Sequence, residues 1–232
     1  MDRSSVIEKQ ETPAVLANGA FPQRFERKFF VAPRNIGFAY SLLRQVCHLD
    51  KEYPHGQINS LYFDTPDLDQ HTRSMSGEFK KDKVRIRWYG TKESLPENVP
   101  VFLELKSRQG FASSKQRERL LVPLEMLDPN RLNAGIIDRT TLGDTILRFG
   151  YFPEKPLKPI IEISYSRYRF TEMLTGMRVS LDYDVRSTLV SREFGFGERE
   201  LPLRGGVIEV KGPSMELPST LHRIKLLDTD WS

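Results

Sequence analysis

Cysteine is nearly absent: Cys47 is the one cysteine in 232 residues, so no internal disulfide or cysteine zinc cluster can form, as suits a reducing compartment. Long apolar runs are missing too, and no window approaches the roughly 18 apolar residues of a membrane helix. Met1 to Ala20 mixes charges throughout and lacks the apolar stretch of a signal peptide, which predicts a cytoplasmic location. Net charge is small, with 35 Lys+Arg against 31 Asp+Glu giving +4, and Trp88 and Tyr89 do not make a stacking platform. Both points speak against a nucleic-acid partner. No Ser–His–Asp or cysteine nucleophile arrangement is visible, and Cys47 and His48 fall at a helix end. There is no internal repeat. The 14 Phe, 8 Tyr and 2 Trp supply ample apolar area, which excludes disorder through most of the chain.

The distribution of charge says more than its sum. Residues 80–120 hold 11 Lys+Arg and 5 Asp+Glu, a net +6 that leaves the rest of the chain slightly acidic. Around this stretch the sequence reads as a polar, flexible tail over 1–21 and one domain over 22–232. Pro33 suits the first turn of a helix whose apolar positions are Ile36, Ala39/Tyr40, Leu43 and Val46/Cys47. Alternating segments predict strands at 24–31, 58–64, 83–89, 101–108, 115–122, 160–170, 177–185 and 206–211. Thr141 with Asp144 resembles a capping box ahead of Leu142, Ile146 and Phe149, and 218–227 reads as a closing helix. Many strands with few long helices argue for an α+β, mainly antiparallel barrel or sandwich.

Residues two apart in a strand share a face. Lys83, Arg85 and Arg87 align against Val84, Ile86 and Trp88. Glu104, Lys106 and Arg108 align against Val101, Leu103 and Leu105. Further polar faces carry Arg24, Glu26 and Lys28; Lys115, Arg117 and Arg119; Arg167 with Arg169; Arg178, Ser180 and Asp182; and Glu209 with Lys211. These are either solvated outer faces or, if the sheet closes, the lining of a tunnel. About ten cations facing inward would need an anionic occupant, because buried unpaired charge is very costly. A polyanion with a divalent metal satisfies both signs.

The ordered set Arg24-Phe25-Glu26-Arg27-Lys28-Phe29, Ser60-Leu61-Tyr62-Phe63-Asp64-Thr65, Arg85-Ile86-Arg87-Trp88-Tyr89-Gly90 and Leu103-Glu104-Leu105-Lys106 resembles the VTC domain. So do Tyr165-Ser166-Arg167, Arg178-Val179-Ser180-Leu181-Asp182 and Ile208-Glu209-Val210-Lys211. This is the catalytic domain of the vacuolar transporter chaperone polyphosphate polymerase, within the triphosphate tunnel (CYTH-like) superfamily, here similar to bacterial stand-alone members. The resemblance implies an eight-stranded tunnel barrel with flanking helices. It implies transfer of the γ-phosphoryl of ATP onto polyphosphate with Mn²⁺ or Mg²⁺, and leaves room for a separate membrane partner. By motif position it assigns catalysis to Arg85, Arg87, Lys106, Arg167 and Arg178. It assigns phosphate binding to Lys28, Lys115, Ser180 and Lys211, and metal binding to Glu209, with Glu26 as a second candidate.

Two departures from the pattern stand out. Tunnel triphosphatases begin with Glu-x-Glu-x-Lys, whereas this chain has Arg24 before Glu26 and Lys28. Fewer carboxylates favour holding a longer polyanion over activating water; a triphosphatase and a non-catalytic polyphosphate binder are the alternatives. The family continues after the last helix with a Ser-Lys-aromatic element, whereas this chain stops at Asp230-Trp231-Ser232, so that lysine is absent by nature or by truncation. Glu162 has the opposite parity to Arg167 and is expected outside. Glu104 and Asp182 can either pair with neighbouring cations or bind metal.

Overall fold

In a computed structural model, residues 25–110, 112–194, 200–214 and 216–227 are described. The expected tail over 1–21, Arg24 and the Asp230-Trp231-Ser232 terminus lie outside them. The chain forms one mostly antiparallel 10-stranded sheet. Its strands are β1 (Phe25–Val31), β2 (Cys47–Leu49), β3 (His55–Asp64), β4 (Lys80–Tyr89) and β5 (Asn98–Gln109). They continue as β6 (Ala112–Pro123), β7 (Lys158–Glu172), β8 (Arg178–Leu189), β9 (Glu200–Pro202) and β10 (Gly206–Gly212). The main path runs β1-β10-β8-β7-β3-β4-β5-β6, with β2 on β7 and β9 on β8. The expected strands are all present. The short β2 and β9 were not anticipated, because three residues are too few to show alternation.

The alternation has the expected consequence on one face. Val84, Ile86, Val101 and Leu103 are fully buried, and Trp88 nearly so. Each such side chain contributes roughly 1.5–3 kcal/mol. This outer face is covered in two patches. Over β3 to β6, Leu142 and Ile146 of α3 (Arg139–Arg148) join Leu127, Leu132 and Ile136 of the preceding segment. Over β1, β10, β8 and the end of β7, Ala39, Leu42 and Leu43 of α1 (Ile36–Val46) meet Leu221 and Ile224. The latter two lie in a 3₁₀ helix, Ser219–Leu227, rather than in the α-helix expected there. Buried Glu172 fastens that segment to the β7–β8 turn. It accepts from Thr220 Oγ1 at 2.8 Å and from Thr175 N at 2.6 Å.

The cap of α3 also differs from expectation. Asp138, not Thr141, is the N-cap, accepting from Thr141 N at 2.9 Å and Thr141 Oγ1 at 2.6 Å. Thr141 is thus the third residue of the helix, and a carboxylate supplies the oxygen that its free N–H groups require. A short helix, α2 (Asp69–Met75), follows the Thr65-Pro66-Asp67 turn. Buried Asp64 organises it by accepting from Thr65 N, Gln70 N and His71 N at 2.8–2.9 Å.

The opposite face is polar and curls in on itself. Glu26 on β1 lies close enough to Lys106 on β5 for their charges to interact, as does Lys28 with Tyr62 on β3, although these strands are far apart in the sheet order. The curl is tunnel-like, as expected, but hydrogen bonding does not close it. Among the described residues β1 pairs with β10 alone and β6 with β5 alone. Exposed Lys115, Gln116 and Arg119 keep the β6 edge charged, which disfavours further strand pairing. At the other edge, Gly205 and Gly206 let β10 enter between β1 and β8. A Cβ on Gly206 would meet Asp182 O at 2.6 Å, and one on Gly205 would meet Val31 O at 2.6 Å.

Candidate functional site

Every site residue expected from sequence falls on this concave face. Register places Lys83, Lys106 and Lys115 in one cross-strand row and Arg85, Glu104 and Arg117 in the next. On the other wall Arg167 faces Asp182, Ser180 faces Glu209, Arg178 faces Lys211, Lys28 faces Glu209 and Glu26 faces Lys211.

Glu104 is the centre of the β4–β6 wall. Its side chain is 1% exposed and contacts Arg85 Nη2 at 2.7 Å, Lys115 Nζ at 2.7 Å and Arg117 Nε at 3.3 Å. Burial pushes its carboxyl up, but Arg85, Lys115 and Arg87 outweigh that and bring it down to about 2. The same carboxylate, with Tyr62, raises Arg85 against the opposing effect of burial. Glu104 therefore pairs with cations, one of the two roles left open for it.

The Ser60-Leu61-Tyr62 run has a clear task here. Ser60 Oγ accepts from Arg87 Nε at 3.0 Å, and Tyr62 Oη accepts from Arg85 Nη1 at 3.1 Å. Sequence reasoning named neither as a site residue. The signal was the i, i+2 parity of Ser60 and Tyr62, which becomes readable only with the β3–β4 register in hand. Arg117, also outside the expected set, lies over the Phe102 ring at 3.5 Å and donates Nη2 to Tyr89 Oη at 3.3 Å.

Arg85 and Arg87 differ in what they have left to offer. Arg85 spends Nε and both terminal nitrogens on Glu104 and Tyr62. Arg87 spends Nε on Ser60, and its half-buried terminal amino groups have no carboxylate within ion-pair distance among the described residues. Lys106 is in a similar position. Partial desolvation lowers its pKa, Glu26 opposes that, and the neighbouring Lys211, Lys28 and Arg85 lower it further. A lysine held among cations marks where an anion is wanted.

The second wall is more evenly balanced. Arg167 donates Nε and Nη2 to Asp182 at 2.6 and 2.7 Å, a bidentate pair, so Asp182 too is a partner of its neighbouring cation. Lys211 Nζ lies between two carboxylates, in direct contact with Glu209 and 3.5 Å from Glu26. Glu26 also meets Lys28 Nζ at 3.2 Å. Burial pushes the Glu26 carboxyl up, but Lys211, Lys28 and Lys106 together bring it down to about 2. Glu162 sits on the outer face opposite Leu61, as its parity predicted. A bulge at Asp184, φ 50°, puts its extra residue in β8, and the irregularity against β3 falls at Ile160, so β7 keeps its alternation between Glu162 and Arg167.

Among the described residues no group of three or more His, Cys, Asp or Glu side chains could hold a metal alone. Glu26 and Glu209 do converge on one cation position, now taken by the Lys211 ammonium. Two carboxylate arms fit a Mg²⁺-like ion that draws its other ligands from phosphate and water.

The family model of the VTC domain matches residues 23–225. No curated protein matches the chain. Among solved structures, an adenylate cyclase-like protein from Bacillus halodurans is 18% identical, with 89% of this chain and 90% of that one covered and a TM-score of 0.51. That likeness shows a shared fold. An adenylyl cyclase-like protein from Hippeastrum, for which a dominant triphosphatase activity is described, is also 18% identical. There the alignment covers 87% of this chain and 82% of that one, with a TM-score of 0.40.

Proposed function

The chain belongs to the VTC-domain family, and from that premise we propose that it is a phosphotransferase moving the γ-phosphoryl of ATP onto a polyphosphate chain held in the concave face. The observation that carries the reading is the surplus of cations over carboxylates on that face, sharpest at Arg87 and Lys106. Such a lining suits several linked phosphates better than one.

Phosphoryl transfer asks the protein mainly to align donor and acceptor and to stabilise charge on the equatorial oxygens. A terminal oxygen of the polyphosphate attacks the γ-phosphorus, the bond to the β,γ-bridging oxygen breaks, and ADP leaves with that electron pair. In this scheme Arg87 offers a free fork and Lys106 a point charge to the transferring group. Arg85, Arg167 and Arg178 complete the catalytic set, with the first two oriented by Glu104 and Asp182. Lys28, Lys115, Ser180 and Lys211 bind the flanking phosphates. Glu209 and Glu26 would hold Mn²⁺ or Mg²⁺ once Lys211 swings away, and the ion would neutralise charge on non-bridging oxygens.

The test is to supply ATP with Mn²⁺ and resolve the products on a urea gel. Long polymer is the expected result. Orthophosphate released from tripolyphosphate without polymer would instead make the protein a triphosphatase. Tight, salt-sensitive polyphosphate binding without turnover would make it a binding module.

A further inference from the structure

The cationic lining does not stop at the row of Lys83, Lys106 and Lys115. One row farther toward the β5–β6 turn, on the same face, Lys81 lies directly opposite Arg108, which in turn faces Ser113. Neither of these rows contains a carboxylate. The acidic residue nearby, Asp82, has the other parity; it is buried and accepts from Ser107 Oγ. Like charges directly opposite one another across strands destabilise a sheet, and here they recur in successive rows. Lys83, Lys106, Arg108 and Lys115 are exposed and Lys81 is half-buried, so the band is open to solvent where the central Arg85–Glu104 row is not. Among the described residues, no ion pair links Lys81, Lys83, Lys106 or Arg108 to a carboxylate. Lys115 alone has one, with Glu104.

From this continuity we propose that the Lys81–Arg108 end of the β4–β5–β6 wall is an outer lane for the polyanion, carrying phosphates beyond those gripped at Arg87 and Lys106. The proposal rests on the polyphosphate reading of the concave face and adds a direction to it. The chain leaves, or enters, over the Lys81–Arg108 end of the wall, and longer chains gain contacts that short ones cannot reach. The lane therefore makes affinity depend on chain length.

Binding without ATP separates the lane from catalysis. Titrate tripolyphosphate and a long-chain polyphosphate into the wild-type protein and into the Lys81→Gln/Arg108→Gln variant by calorimetry. Lys80→Gln is the control, since Lys80 has the same charge, is exposed, and lies one residue away on the opposite face. The double variant should lose about tenfold in affinity for the long chain, with a shallower salt dependence. Its affinity for tripolyphosphate should stay within twofold, and Lys80→Gln should bind both as the wild type does. An unchanged long-chain affinity, an equal loss for both ligands, or the same loss in Lys80→Gln would overturn the lane while leaving the central site standing. No tripolyphosphate binding by the wild type would overturn the polyphosphate reading itself. An RNA oligonucleotide displacing long-chain polyphosphate at lower concentration would assign the band to nucleic acid and overturn the lane.

Discussion

The two walls of the concave face use charge differently. On the β4–β6 wall a single carboxylate, Glu104, stands among Lys83, Arg85, Arg87, Lys106, Lys115, Arg117 and Arg119. On the wall of β1, β10, β8 and β7, the carboxylates Glu26, Glu209 and Asp182 stand among Lys28, Lys211, Arg167, Arg169 and Arg178. The first wall is a cation surplus arranged around one anchor, and the second, though cationic as well, pairs Lys28, Lys211 and Arg167 with carboxylates. On the proposed function the difference would divide labour: phosphate would bind against the surplus, and a divalent ion would sit beside Glu26 and Glu209, where its arrival would release a lysine rather than leave a charge bare.

The strongest way to break this comparison is to remove the free fork. Arg87→Ala should cut polymer synthesis by at least about a hundredfold and change denaturant stability less than loss of Glu104 does, because among the described residues its side chain hydrogen-bonds Ser60 alone. Arg85→Ala is a less clean probe, since it also strips Glu104 of a partner. If the activity of Arg87→Ala matched the wild type on a urea gel, the surplus wall would not be where chemistry occurs.

Removing the anchor should act on stability instead. Glu104→Gln leaves Arg85, Lys115 and Arg117 without their shared charge, and a loss of about 3 kcal/mol in urea unfolding is expected. Tripolyphosphate should restore most of it, because a ligand that binds only the folded state supplies the missing negative charge. On the other wall, Glu209→Gln should alter stability little. It should raise the Mn²⁺ concentration for half-maximal synthesis by about tenfold, and an unchanged metal requirement would remove Glu209 from the proposed metal site.

The smallest effect is a pH dependence. Glu104 and Glu26 both drop from an ordinary 4.5 to about 2 in the folded state. Their stabilisation is fully present above pH 4.5 and is lost as pH falls toward about 2, since the unfolded chain takes up protons first. Glu104→Gln should flatten stability across that window. Glu26→Gln should flatten it less, because the half-exposed Glu26 is screened by solvent. Equal slopes in both variants and the wild type would contradict the pairing described for each.

How much of this was legible in the sequence follows from periodicity. A period of two assigns side chains to faces without any knowledge of neighbours, so the polar faces of seven of the eight path strands were readable, that of β3 being the exception. Glu162 was placed outside correctly for the same reason. Register is a pairwise property, so the Ser60–Arg87 and Tyr62–Arg85 contacts and the choice of Glu104 and Asp182 as ion partners were not readable. The α3 cap was misassigned because Asp138 and Thr141 form the same kind of pair as Thr141 and Asp144, and only backbone geometry separates them. The bulge at Asp184 and the β1 and β6 edges, unpaired among the described residues, have no local signature at all.

A crystal structure with tripolyphosphate bound tests the central claim most directly. The account predicts phosphate density on the concave face, within hydrogen-bond distance of Arg87, Lys106 and Lys115. Density confined to the outer face, or a concave face that stays free of phosphate at saturating ligand, would contradict it.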